Sequence, residues 1–213
     1  MVSVFIVSKE NFMNNKNINM EVIIISGPSG SGKTTLSKLI RNKLNNGFIL
    51  STDNYYNTGV LSKIFSRIIE SYFDRKISFN YRLYKKDLFF ILDNGNSNHT
   101  YSYDFKKKSI KKLLKKTTNI KYLILEGIFV KELLKDFRKQ NCFFMELKID
   151  KESCMKRVIY RDLIERGKKE DLAKKDFLLS WQYYYSRNKK YYLSKNISQI
   201  NYTTNMKLDL LVQ

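Results

Sequence analysis

Apolar residues cluster along the chain with spacings that define a succession of short elements. Residues 20–25, Met20-Glu21-Val22-Ile23-Ile24-Ile25, are a nearly unbroken apolar, β-branched run of the kind a strand buried on both faces requires. A glycine-rich turn follows. Beyond it Leu36, Leu39, Ile40 and Leu44 recur at helical spacing, and Gly47 ends that segment. Strand, glycine turn and helix make half of a βαβ unit. The alternation continues with strands predicted at 48–50, 122–125 and 142–149 and helices at 63–73, 83–92, 130–139, 151–164 and 171–187. The lysine-rich segment 110–116 is read as a basic helix, and a strand at 197–202 and a helix at 207–212 follow the last of these. Alternating strands and helices predict an α/β sandwich with a mainly parallel sheet. Residues 1–19, rich in Asn and Lys from 11 to 19, carry little apolar periodicity and are read as a weakly structured N-terminal extension to one domain at 20–213.

Composition narrows the function classes. At 213 residues and 43% hydrophobic content the chain fills one substantial core. Its apolar runs fall far short of the roughly 20 residues of a membrane span, and Val4-Phe5-Ile6-Val7 is too short for a signal-peptide core. Cys142 and Cys154 lack CxxC spacing or a His partner and read as buried free thiols, so the expected location is the cytoplasm. His99 is the only histidine, which argues against His-based triads and His-ligated metals.

Charge pulls in another direction. Forty Lys and Arg against twenty Asp and Glu give a formal +20, a balance that often marks nucleic-acid binding. Thirty-one of those cations are lysines spread over the whole chain, which reads instead as a compositional background. Lys106, Lys107, Lys108, Lys111, Lys112, Lys115 and Lys116 form the one dense cluster.

The chemistry concentrates in Gly27-Pro28-Ser29-Gly30-Ser31-Gly32-Lys33-Thr34, a complete GxxxxGK[ST] phosphate loop between a predicted buried strand and a predicted helix. Its glycines let backbone N–H groups and the helix N-terminus surround phosphate oxygens. Lys33 then reaches the β and γ phosphates of a nucleoside triphosphate, and the Thr34 hydroxyl suits Mg²⁺. Asp53 follows the second short strand, where open α/β sheets bind ligands and a carboxylate can take a proton from an attacking hydroxyl. Glu126 ends the buried run at 122–125, a costly place for a carboxylate unless a cation is near, and it is read as a Mg²⁺ partner.

Five segments in order resemble the uridine-cytidine kinase family, close to phosphoribulokinase-like proteins of the P-loop kinase class. They are GPSGSGKTT at 27–35, STDNYY at 51–56, YDF at 103–105, LEGIF at 125–129 and RDLIERGK at 161–168. The resemblance implies a P-loop NTPase three-layer sandwich with an Arg-rich helical lid, and transfer of the γ-phosphoryl group of ATP to the 5′-hydroxyl of uridine or cytidine. Asp53 would be the general base, with Lys33, Arg161 and Arg166 completing the catalytic set. Gly27, Ser29, Gly30, Ser31, Gly32, Lys33, Thr34 and Thr35, with Arg157, Arg161 and Arg166 from the lid, would hold ATP. Thr34, Asp53 and Glu126 would hold Mg²⁺. Asp53, Tyr56, Tyr103, Asp104, Phe105 and Lys108 would line the nucleoside pocket.

The acceptor half departs from the family pattern. Lys108 and Ile110 stand where the family has His and Arg after YDF, no carboxylate lies in residues 79–83 where the family has D-H-P-D, and Val158 replaces a lid Arg, with Arg157 one place earlier. Asp87 is the nearest acidic substitute. Other small hydroxyl acceptors therefore stay open, among them nicotinamide riboside, pantothenate or a sugar phosphate. A nucleic-acid-binding protein or polynucleotide 5′-kinase is a reading of another class. The expected partner is a small nucleoside-like molecule; nucleic acid is disfavoured but left open, no membrane is expected, and a homo-oligomer is left open.

Overall fold

The computed structural model describes residues 2–7, 20–137, 142–192 and 198–202. Its strands are β1 (Val2–Val7), β2 (Glu21–Ser26), β3 (Gly47–Ser51), β4 (Ser97–Asp104), β5 (Ser109–Thr117), β6 (Tyr122–Glu126), β7 (Cys142–Leu147) and β8 (Ser198–Tyr202). Six of them make one sheet in the order β3-β6-β2-β7-β1-β8, while β4 and β5 pair separately as an antiparallel hairpin. Strands β3, β6, β2 and β7 are parallel; β1 runs antiparallel to both β7 and β8. The helices are α1 (Lys33–Lys43), α2 (Val60–Ile68), α3 (Tyr81–Asn94), α4 (Lys151–Arg166) and α5 (Glu170–Tyr192).

The unbroken apolar character of β2 follows from its central place. Val22 and Ile24 point to one face, where they join Leu123, Leu125, Leu88 and Ile91. Ile23 and Ile25 point to the other and meet Ile40 and Leu44 beside α1. Two cores on opposite faces of one sheet make the expected three-layer α/β sandwich. The four parallel strands end on the same side of the sheet, where Glu126 pairs with Ser51 and Ile25, and Ser26 pairs with Glu146.

Several expectations are corrected. The segment 110–116 is strand β5, not a helix. Asp104 accepts hydrogen bonds from the N–H groups of Lys106 and Lys107, both at 2.9 Å, and Lys108 takes a left-handed φ of 50°; together these turn the chain back on β4. Cross-strand pairs such as Tyr103 with Ile110 and Tyr101 with Lys112 then outweigh helical spacing. Residues 2–7, read as part of a weakly structured extension, form β1, because the edge of β7 offers a ladder to a β-branched segment. The helix expected at 130–139 is a run of 3-10 turns at Val130–Phe137, and the one expected at 63–73 ends at Ile68. The helix expected at 207–212 and most of the stretch 8–19 lie outside the described residues. Among the described residues no helix is long and apolar enough to cross a membrane.

Candidate active site

Between β2 and α1 the glycine loop wraps the start of the helix. Gly32 caps α1 in a left-handed conformation, φ 90°, and no side chain satisfies the first-turn N–H groups. Those donors face outward as an anion site. Gly30 has φ 80°, and a Cβ there would lie 2.4 Å from the carbonyl oxygen of Cys154 on α4, so only glycine lets loop and helix approach. Ser31 Oγ is buried in this loop and has no hydrogen-bond partner among the described residues. Such an orphaned donor fits a phosphate oxygen.

Lys33 is buried, with Nζ donating to Pro28 O at 2.9 Å. Burial lowers its pKa, against the opposing pull of Asp53 and Glu126. Glu126, 2% exposed, lies 3.5 Å from Thr34 Oγ1, which donates to it. Burial raises the Glu126 pKa and the Asp53 charge raises it further, while Lys33 and hydrogen bonds from Ser51 and Thr34 act the other way. Asp53 sits in the short 3-10 turn Thr52–Asn54, whose start is fixed by the Asp53 N–H donating to Ser51 Oγ at 3.3 Å. Gly127 keeps this turn close: at φ 135°, a Cβ on it would lie 1.8 Å from Thr52 Oγ1. One hydroxyl and two carboxylates thus converge beside a buried ammonium.

Asp53 opens onto a cavity that Ser29, Arg161 and Arg166 share from the phosphate side. The two arginines are held by Asp162, 2% exposed: Arg161 donates to its Oδ1 at 2.8 Å, Arg166 lies at 3.3 Å, and Lys168 approaches Oδ2 at 3.0 Å. Burial alone would raise the Asp162 pKa, but Arg166, Arg161 and Lys168 more than offset it and hold the carboxyl below its ordinary value. The far wall is aromatic. Tyr56 meets Tyr103 at 5.1 Å and Phe73 at 5.1 Å, Phe105 lies 5.5 Å from Phe73, and the Arg166 guanidinium stacks 4.1 Å above Phe105. Burial, then the charges of Asp53 and Asp74, raise the Tyr56 pKa, and burial pushes the Tyr103 hydroxyl up to about 12.

The sequence-derived residues divide accordingly. Lys33, Thr34, Asp53, Glu126, Arg161, Arg166, Tyr56, Tyr103 and Phe105 gather around one site. Thr35 is an exposed residue on α1. Arg157 is exposed, donates to Gly30 O at 3.3 Å and does not line the cavity. Asp104 is corrected from a pocket residue to the cap of the hairpin turn. Asp87 cannot substitute for a missing acceptor carboxylate, because it takes the hydroxyl of Tyr55 at 2.8 Å and lies 3.3 Å from His99 Nε2. Asp74, which accepts from Ser180 Oγ at 2.6 Å, lines the cavity together with Asp53, Asp162 and Asp176. Sequence reasoning missed Asp74, Phe73, Phe177 and Ser180, since no local motif links those positions.

This arrangement can place an anionic phosphoryl group beside a hydroxyl held near Asp53. Comparison with known proteins gives the family and the fold. Residues 22–187 match the phosphoribulokinase/uridine kinase family. A uridine kinase of Lactiplantibacillus plantarum is 30% identical over 162 residues, covering 74% of this chain and 75% of the relative. One from Borreliella burgdorferi is 31% identical over 173 residues, covering 77% and 79%. A solved structure from Silicibacter sp. TM1040, described as a candidate fructose transport system kinase, shares the fold with a TM-score of 0.61 at 15% identity, covering 82% of this chain and 88% of that one. With the family pattern running from β2 to α5 over a phosphate loop and a strand-end carboxylate, the chain belongs to the phosphoribulokinase/uridine kinase family.

Proposed function

We propose that the protein is an ATP-dependent kinase of a small hydroxyl acceptor, and that the acceptor is the 5′-hydroxyl of uridine or cytidine. The observation that carries this reading is the position of Asp53, which lines an aromatic-walled cavity and lies within electrostatic reach of the buried Lys33 and Glu126. In this reading Asp53 accepts the proton of the acceptor hydroxyl as its oxygen bonds to the γ-phosphorus, and the bond to the β-phosphate oxygen breaks to release ADP. Lys33, Arg161 and Arg166 offset the negative charge that spreads over the transferring group, and the first-turn N–H groups of α1 with Ser31 hold the phosphates. Thr34, Glu126 and Asp53 provide the hard oxygen donors that suit Mg²⁺, which when bound supplies charge neutralisation at the phosphates. Tyr56, Phe73, Tyr103 and Phe105 wall the acceptor off from water.

The test is ADP formation with Mg²⁺ATP and single acceptors: uridine, cytidine, nicotinamide riboside, pantothenate, a sugar phosphate and a 5′-hydroxyl oligonucleotide. Turnover with uridine or cytidine is expected. Turnover with the oligonucleotide alone would overturn the reading in favour of a nucleic-acid kinase, and turnover with another small acceptor alone would overturn the nucleoside assignment.

A further inference from the structure

Among the described residues the β4–β5 hairpin pairs with no strand of the main sheet, so no backbone ladder fixes its position beside the acceptor cavity. Side chains supply that position instead. Asp87 on α3, 9% exposed, takes two donors on one oxygen, the Tyr55 hydroxyl at 2.8 Å and His99 Nε2 at 3.3 Å. We infer that Asp87 is a positioning residue for phosphoryl transfer, which ties the loop carrying Asp53 and Tyr56 to the hairpin carrying Tyr103 and Phe105.

The inference rests on the reading of that cavity as the acceptor site and names what sets its shape. Three elements meet at Asp87. Tyr55 follows the 3-10 turn that holds Asp53 and directly precedes Tyr56, and His99 lies on β4, the strand of Tyr103. The third element, α3, buries Leu88 and Ile91 in the core, so Asp87 stands on a firm support. Rings fill the junction: Tyr55 meets Tyr101 edge-on at 5.3 Å and Tyr84 at 4.9 Å, and His99 meets Tyr101 at 4.9 Å. A carboxylate only accepts, so His99 turns an Nε2–H toward Asp87 and Tyr55 keeps its proton. Burial and the Asp87 charge both raise the Tyr55 pKa, which secures that hydroxyl as a donor. A second tie runs alongside, from the Tyr103 N–H to Asn54 Oδ1 at 3.3 Å. It holds the hairpin near its turn, whereas Asp87 holds it near its base.

The two ties set one wall of the cavity against the other. The rings of Tyr56 and Tyr103 stand 5.1 Å apart, one from the loop and one from the hairpin. A shift of about 1 Å between them moves the place where a hydroxyl is held beside Asp53, and misplacement of that size can cost about 10²-fold in rate. None of these bonds reaches the phosphate loop, so ATP binding is spared.

The experiment measures kcat/KM for uridine, KM for ATP and backbone hydrogen exchange in the wild type, Asp87→Ala, Asp87→Asn, Tyr55→Phe and His99→Phe. Asp87→Ala is expected to lower kcat/KM for uridine by about tenfold to a hundredfold with KM for ATP unchanged. It should also speed exchange in residues 52–56 and 97–104 together. Asn retains an acceptor oxygen for both donors and should restore most of the loss. Tyr55→Phe and His99→Phe each keep a ring, delete one donor and should fall between, which covers the case in which Asp87→Ala does not fold. Wild-type kcat/KM in both of these variants, or a KM for ATP that rises in step with the uridine defect, would overturn the inference. Absence of uridine turnover in the wild type would overturn the nucleoside reading instead, and exchange then decides: faster exchange in both segments of Tyr55→Phe and His99→Phe supports the tie, and unaltered exchange overturns it.

Discussion

The hydroxyl of Tyr184 on α5 lies 2.9 Å from that of Ser26, the residue that ends β2 and precedes the phosphate loop. Tyr184 in turn donates to Glu146 Oε1 at 3.0 Å, which also receives Lys131 Nζ at 2.5 Å. All four groups are buried, so the long C-terminal helix is tied to the base of the phosphate loop inside the core. Tyr184→Phe keeps the ring packing and deletes one hydroxyl. The expected loss is about 1–3 kcal/mol from the unsatisfied Ser26 hydroxyl and the donor lost by Glu146. At this chain length, Tm falls by roughly 2–4 °C for each kcal/mol. Thermal unfolding measures it, and an unchanged Tm would show that water replaces the hydroxyl at no cost.

Asp53→Asn is expected to lower kcat by roughly 10²–10⁴-fold, the contribution of a positioned general base, with KM for ATP nearly unchanged. The turn that carries it is fixed by backbone and Ser51 contacts that Asn retains. Steady-state kinetics with the acceptor at saturation separates the two constants. A variant with near-wild-type kcat would remove Asp53 from proton transfer.

The two halves of this site differ in how far the sequence discloses them. The phosphate loop is contiguous, so its glycines, Lys33 and Thr34 stand in one motif, and the apolar run of β2 announces its burial on two faces. Asp53 and Glu126 are legible because strand ends in a parallel sheet fall on one edge. The acceptor wall has no such contiguity: Phe73 and Asp74 come from a 3-10 turn, Ser180 and Phe177 from α5, and only packing joins them. The hairpin β4–β5 was hidden for a different reason. Leucine and lysine pairs at 111–116 fit a helical period as well as a strand, and the pairing with Tyr101 and Tyr103 that decides between them is tertiary.

Gly30→Ala tests the closeness of the loop to α4. The new Cβ would meet Cys154 O at 2.4 Å and Val158 Cγ2 at 2.9 Å, and φ 80° is itself unfavourable for a residue with a side chain. A left-handed residue costs roughly 1–2 kcal/mol and overpacking roughly 1–3 kcal/mol. Relief requires α4 to move away from the loop, and Arg161 with it. A lower Tm together with a raised KM for ATP is the expected pair of changes. A lower Tm with KM unaltered would show that the arginine does not depend on this contact.

Asp74 gives the protein a pH dependence whose sign can be worked out. It faces Ser180 and the cavity, where burial lifts its pKa from 3.8 to about 6; the Ser180 hydrogen bond and Arg187 oppose the rise, Asp53 adds to it and Arg166 opposes it. In the unfolded chain the group titrates near its ordinary value. Between about pH 4 and pH 6 the folded protein therefore holds a proton that the unfolded chain has released, so this contribution to stability falls as pH rises through that window and is flat above it. Asp74→Asn keeps an acceptor for Ser180 Oγ and cannot ionise. Relative to wild type, the variant should gain stability at pH 7.5 and gain little at pH 4, measured as the shift in urea midpoint at each pH. An equal shift at both pH values would mean that Asp74 ionises alike in the folded and unfolded chains, and that the cavity is wet enough to solvate its charge.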